Sequence, residues 1–151
     1  MFKNLFKKKI ENKNNDKILI AAMLVHAAKI DEKYTDIEKQ IIKKALLYLE
    51  NVKENEVNDL LAQAELKEQE SNQIIAFTKE IKKKSMEFRL KIIEILWQIV
   101  YSDGTNDMYE SNLIRRVCGL LYVPDKENGI IKQRVKNLIK KKPIEFRLKI
   151  I

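Results

Sequence analysis

Apolar residues recur at helical steps along almost the whole chain, laying one stripe after another along a succession of short segments. Ile18, Ala21, Ala22, Val25 and Ala28 predict a helix over Asp16–Lys29, capped by Asn15 or Asp16. The next runs from Asp36 to about Asn51. Another covers Asn55–Glu70, with Val57, Leu60, Leu61 and Ala64 on one face and acids on the other. Ser71 or Asn72 caps the segment striped by Ile74, Ile75, Phe77 and Ile81. Met86–Tyr101 opens on Ser85 and carries Phe88, Ile92, Ile95, Leu96 and Ile99 densely enough to be central. Met108–Tyr122 follows and ends at Val123-Pro124, because a residue before proline avoids the helical region. Lys126–Lys142 is amphipathic through Ile130, Ile131, Val135, Leu138 and Ile139. No segment reads as a strand, and three Gly and two Pro leave little material for the turns of an all-β fold. The expectation is an all-α fold of about seven helices, packed as one bundle over residues 16–140.

Two stretches flank that bundle. Residues 1–15 read as a basic amphipathic tail and linker. Phe2, Leu5, Phe6 and Ile10 share a face, Lys3, Lys7, Lys8 and Lys9 surround it, and Glu11–Asn15 is a polar linker. At the other end, KKSMEFRLKII of residues 83–93 returns as KKPIEFRLKII at 141–151. That copy is either a duplicated tail or an eighth short helix.

A longer repetition organises the middle. The stretch WQIVYSDGTNDMYESNLIRRVCGLLYV, residues 97–123, reads as helix, acidic loop and helix; residues 25–49 repeat its plan 72 positions earlier. Asp31 matches Asp103, Thr35 matches Asp107, Glu38 matches Glu110 and Ile42 matches Ile114. Each loop, or elbow, thus carries a carboxylate at either end. Each pair could converge on a divalent cation such as Ca²⁺ or Mg²⁺, with loop carbonyls and water completing the oxygen shell these ions prefer. Glu32, Asp36 and Asp107 stand nearby. A purely structural role competes: Thr35-x-x-Glu38 and Asp107-x-x-Glu110 are capping boxes, in which the Glu reaches back to the N-cap amide and complements the helix dipole. The pattern is not an EF-hand, since Ile114 stands where the terminal bidentate Glu would be.

The paired pattern, AAKIDEKYTDIEKQII followed by LWQIVYSDGTNDMYESNLIRRVCGLLYV, resembles the TerB-like family, named for tellurite resistance protein B. That family includes the N-terminal domain of a membrane-anchored DnaJ-type co-chaperone. The resemblance covers roughly residues 16–140, and its specific part is the second motif, with Trp97, Asp103-Gly104, Glu110 and Ile114-Arg115-Arg116-Val117. It implies an all-α fold of about seven helices in two pseudo-repeats, with a metal proposed at the elbows. Matched residue by residue, its ligands would be Asp31, Glu38, Asp103 and Glu110. It also implies stress-linked complexes near the inner membrane rather than a known reaction. Glu32 departs from the family, which has Gly after the first Asp.

Composition narrows the function further. Hydrophobic residues are 45% and charged residues 34%, a globular balance, and no apolar run approaches a membrane span. A net charge of +8 suggests attraction to phosphates or anionic lipid, although abundant Lys, Ile and Asn also fit a bias in base composition. The N-terminus lacks the pattern of a secretory signal, and the single Cys118 excludes an intrachain disulfide, so a cytoplasmic setting is expected, peripheral to the inner membrane if the tail binds lipid. His26 reads as a core or boundary residue, Cys118 as a small buried hydrophobe and Trp97 as core. Lys7–Lys9, Lys82–Lys84 and Lys140–Lys142 read as solvated helix ends with no interleaved aromatics, which argues against nucleic acid. The expected function is a non-enzymatic TerB-like module that meets a protein partner and takes a divalent cation at its elbows. The alternative is a peripheral membrane adaptor or co-chaperone-like module, anchored by Phe2, Leu5, Phe6, Lys7, Lys8 and Lys9.

Overall fold

The computed structural model describes residues 2–30, 32–70, 74–102 and 108–141; side chains are described from Asn15 onward, without those of residues 108–110, 140 and 141. Its helices are α1 (Phe2–Lys29), α2 (Asp36–Leu49), α3 (Glu54–Glu70), α4 (Ile74–Ile81), α5 (Met86–Tyr101), α6 (Met108–Leu120) and α7 (Asp125–Lys141). No strand occurs among the described residues. The all-α expectation holds, and so do most helix boundaries, to within a residue or two.

Two helices contain a stretch that is covered on every side. In α1 every residue from Ile20 to Val25 is buried, and in α5 every residue from Ile92 to Tyr101. Helix α1 packs on α2, α3, α4 and α5, and α5 packs on α1, α2, α6 and α7. The thinner stripes of α2, α3, α6 and α7 cover these two, with α4 as the connector between halves. Ser85 caps α5 as its position suggested, its hydroxyl accepting from the Phe88 amide at 3.2 Å.

The repetition at 72 positions is carried into the packing. Ile41, Ile42, Ala45 and Leu46 of α2 are buried, and so are Leu113, Ile114, Val117 and Cys118 of α6. After these helices the offset becomes 71. Asn51 and Tyr122 both take left-handed backbone, with φ of 51° and 55°. Val52 and Val123 follow them inward, and Leu60 and Ala64 of α3 match Ile131 and Val135 of α7. Among the described residues each unit has a central helix followed by two covering helices, and the second is one residue shorter at the helix exit.

Three expectations change. The linker over Glu11–Asn15 is helical, because α1 is continuous from Phe2 to Lys29 and no cap interrupts it at Asn15 or Asp16. Its Asn residues cost only a few tenths of a kcal/mol each in a helix, and no Gly or Pro is present to break it. The sixth helix stops at Leu120 rather than Tyr122, because Tyr122 turns left-handed before Pro124 can. The acids of α3 are not all outward, since Glu68 follows Ala64 on the apolar stripe and is buried. The expected caps Ser71 and Asn72, and the repeated segment 142–151, lie outside the described residues.

At the α2 exit, Glu50 Oε1 is buried without a hydrogen-bond partner among the described residues. Burial raises its carboxyl above the ordinary 4.5, with Asp16 adding to the rise and Lys84 and Lys17 opposing it. A raised carboxyl contributes stability that is whole below the unfolded pKa and lost as pH rises through the folded one. Glu50→Gln is therefore expected to melt at a higher temperature than the parent at pH 7. The gain should fade toward about pH 4, where both side chains are neutral; thermal melts across that range check it.

Candidate functional site

The first elbow begins at the last turn of α1. The Glu32 amide donates to the Lys29 carbonyl at 2.9 Å, and Glu32 itself takes φ of 65°. The tight turn is kept, with Glu in the left-handed position where the related pattern has Gly. A side chain there costs about 1–2 kcal/mol, partly offset because Gly loses more chain entropy on folding. Glu32→Gly is expected to raise stability by roughly 0.5–1 kcal/mol in chemical denaturation.

Thr35 then opens α2 in extended backbone, with φ of −83° and ψ of 161°. Its hydroxyl accepts from the Glu38 amide at 3.1 Å, and its own amide donates to Glu38 Oε1 at 2.9 Å. The capping box read from Thr35-x-x-Glu38 is present, and it turns the Glu38 carboxylate inward, where the residue is 4% exposed. In the second elbow, α6 starts at Met108, so Glu110 holds the same third helical position as Glu38 does in α2. The side chain of Glu110, and Asp31, Asp103 and Asp107 entirely, lie outside the described residues. Of the four matched acids the structure therefore places the carboxylate of Glu38.

Around that carboxylate the structure brings in residues the repeat did not point to. Tyr34 Oη donates to Glu65 Oε1 at 3.3 Å. Burial, with Glu65, Glu38 and Glu68 adding negative potential, raises the Tyr34 phenol well above its ordinary range. Glu68 meets His26 Nδ1 through one oxygen and Lys29 Nζ through the other, each at 3.2 Å. The amines of Lys39 and Lys29 lie 4.9 and 5.9 Å from the Tyr34 ring centre. The first elbow is thus stitched to the end of α3 by Tyr34 on Glu65 and by His26 and Lys29 on Glu68. A Glu on the apolar stripe of α3 was the available signal for Glu68.

The donors placed at this elbow are mostly oxygen. Carboxylate oxygens dominate, and the one histidine is already bonded to Glu68. Among the described residues no group of three or more His, Cys, Asp or Glu is placed to hold a metal ion. Any site therefore needs Asp31 or the second elbow. Cys118 does not enter it: buried in α6, its thiol is pushed up to about 12 by burial, with the charge of Asp125 adding. No helix among the described residues is long and apolar enough to cross a membrane. A family model described as Tellurite resistance protein TerB matches residues 17–133, well over half of the chain. No curated protein and no solved structure matches it.

Proposed function

Since the chain belongs to the TerB family of tellurite resistance proteins, we propose that it is a non-enzymatic, stress-associated interaction module whose acidic elbows bind a divalent cation. The observation that supports this most is Glu38, a carboxylate held at the elbow at 4% exposure and acting with Glu65 and Glu68 on the phenol of Tyr34. Asp31, Glu38, Asp103 and Glu110 would supply the ligands, and loop carbonyls and water would complete an oxygen shell suited to Ca²⁺ or Mg²⁺. Binding neutralises clustered carboxylates, stiffens the loops and changes the helix face that a cytoplasmic protein partner meets.

Glu38 separates this role from capping. Gln serves the capping box as Glu does. Glu38→Gln is therefore expected to melt close to the parent in chelator, yet to lose the rise in melting temperature that the parent shows with cation. At a hundredfold excess over the dissociation constant that rise corresponds to about 2.7 kcal/mol. A parent whose melting ignores Ca²⁺, Mg²⁺ and Mn²⁺ alike would reduce the carboxylates to caps.

A second reading, a peripheral membrane adaptor, is favoured by the continuity of α1. At 28 residues it is about 42 Å long, against about 25 Å for the 17-residue α3 beside it. Phe2, Leu5 and Phe6 then stand at helical spacing on a formed helix that outreaches its neighbours, with Lys7–Lys9 behind them. Flotation with anionic vesicles should be weakened by deleting residues 2–10.

A further inference from the structure

Lys82, Lys83 and Lys84 make the turn between α4 and α5. Aromatic rings stand beside two of them, Tyr122 from a distant part of the chain and Phe88 from the first turn of α5, although no aromatic interleaves with the run in sequence. Lys82 Nζ lies 5.6 Å from the Tyr122 ring centre and Lys84 Nζ lies 5.7 Å from that of Phe88. Lys91 Nζ, one turn beyond Phe88, lies 5.7 Å from the ring of Tyr48. Tyr122 is 66% exposed, Tyr48 54% and Met86 41%. The contacts of Tyr122 and Tyr48 were invisible in sequence because these rings come from just after α6 and from the end of α2.

The N-terminal turns of α1 and the C-terminal end of α7 run toward the same end of the bundle. Asp16 and Lys17 of α1 line a cavity of about 340 Å³ with Leu49, Glu50, Asn51 and Lys84. From there the α1 backbone continues away from its buried half toward Phe2, through Lys7–Lys9. Helix α7 runs antiparallel to α5, since Trp97 meets Asn128 and Glu94 meets Arg134. Beyond Arg134 the backbone of α7 runs on for two turns in the direction of the start of α5. Acids stand among these cations, but Glu80 is paired with Lys83 at 3.4 Å, and burial raises the carboxyls of Asp16 and Glu50. Glu87 is exposed. The far ends of α1 and α5, at Lys29 and Tyr101, lie about 20–24 Å away along the helix axes.

We propose that this end of the bundle, with Lys82, Lys83 and Tyr122 at its centre, lies against an anionic phospholipid bilayer. It adds a second contact to the surface suggested above for the N-terminal turns of α1, and so rests on that reading. Cations attract the headgroups, while exposed rings and a methionine suit the interfacial layer. In that orientation the ends of α1 and α5 at Lys29 and Tyr101 lie away from the lipid.

Vesicle flotation of the full chain tests this, beside Lys82→Gln/Lys83→Gln, Tyr122→Gly and a deletion of residues 2–13. The lysines are exposed, and φ of 55° at Tyr122 suits Gly, so these variants should fold as the parent does, which circular dichroism checks. The parent is expected to float with phosphatidylglycerol vesicles and not with pure phosphatidylcholine. The double lysine variant should bind roughly thirtyfold more weakly, Tyr122→Gly should also weaken, and the deletion should keep salt-sensitive binding. Parental affinity in both substitution variants, with none in the deletion, would overturn the second contact and leave the N-terminal anchor standing. A parent that ignores anionic vesicles would remove both. Retention on duplex DNA as strong as on vesicles would overturn the lipid assignment in favour of nucleic acid.

Discussion

Trp97→Ala is expected to lower the stability of the domain by about 3–5 kcal/mol, a large share of the 5–15 kcal/mol typical of a whole domain. Trp97 is 2% exposed and stands one turn before the end of the central helix α5 at Tyr101. Its indole Nε1 donates to Asn128 Oδ1 at 2.9 Å, which fastens α7 to α5. Its ring stacks on Tyr101 with centroids 5.7 Å apart, and Lys132 Nζ covers it from 5.1 Å. Truncation removes the packed ring, opens a cavity and leaves Asn128 without its donor. Trp97→Phe keeps most of the apolar volume and gives up the hydrogen bond, so its loss should be smaller by at least half. Urea unfolding of the three proteins measures this. A Trp97→Ala loss under about 1 kcal/mol would mean that α7 does not depend on this contact.

The second large effect concerns the repetition. Ile42 and Ile114 are 0% and 1% exposed and hold matching positions in α2 and α6. Each changed singly to Ala is expected to cost about 2–5 kcal/mol, and the two costs should lie within roughly 1 kcal/mol of each other. The helices are covering elements of equivalent units, so the cavity left should be similar. A large loss at Ile42 beside a negligible one at Ile114, by the same denaturation, would show that the two units are packed by different rules.

Much of this fold was legible because its causes are local. The stripe of α5, the Ser85 cap and the Thr35–Glu38 capping box all follow from spacings within a few residues. The repeat at 72 positions was legible too, since Ile42 and Ile114 fill the same place in each unit. What was missed has other causes. Glu11–Asn15 looked like a linker because it is polar, but polarity does not break a helix without Gly or Pro. Glu68 reads as one more surface acid until α1 is laid against α3 and His26 and Lys29 meet it. Tyr122 carries no signal for left-handed backbone, unlike Asn51, its counterpart in the first unit. The grouping of Lys82 with Tyr122, and of Lys91 with Tyr48, depends on which helix ends meet. The elbow acids were legible as candidates, and the structure brings Glu65 and Glu68 of α3 to the first of them through Tyr34, His26 and Lys29.

Calorimetric titration of the folded protein with Ca²⁺, Mg²⁺, Mn²⁺ and Zn²⁺, beside an Asp103→Asn/Glu110→Gln variant, tests the elbow site most directly. Micromolar binding of a divalent cation, lost in the variant, is the predicted result. An absence of binding at millimolar cation would contradict it and assign Asp31, Glu38, Asp103 and Glu110 to helix capping and loop structure alone.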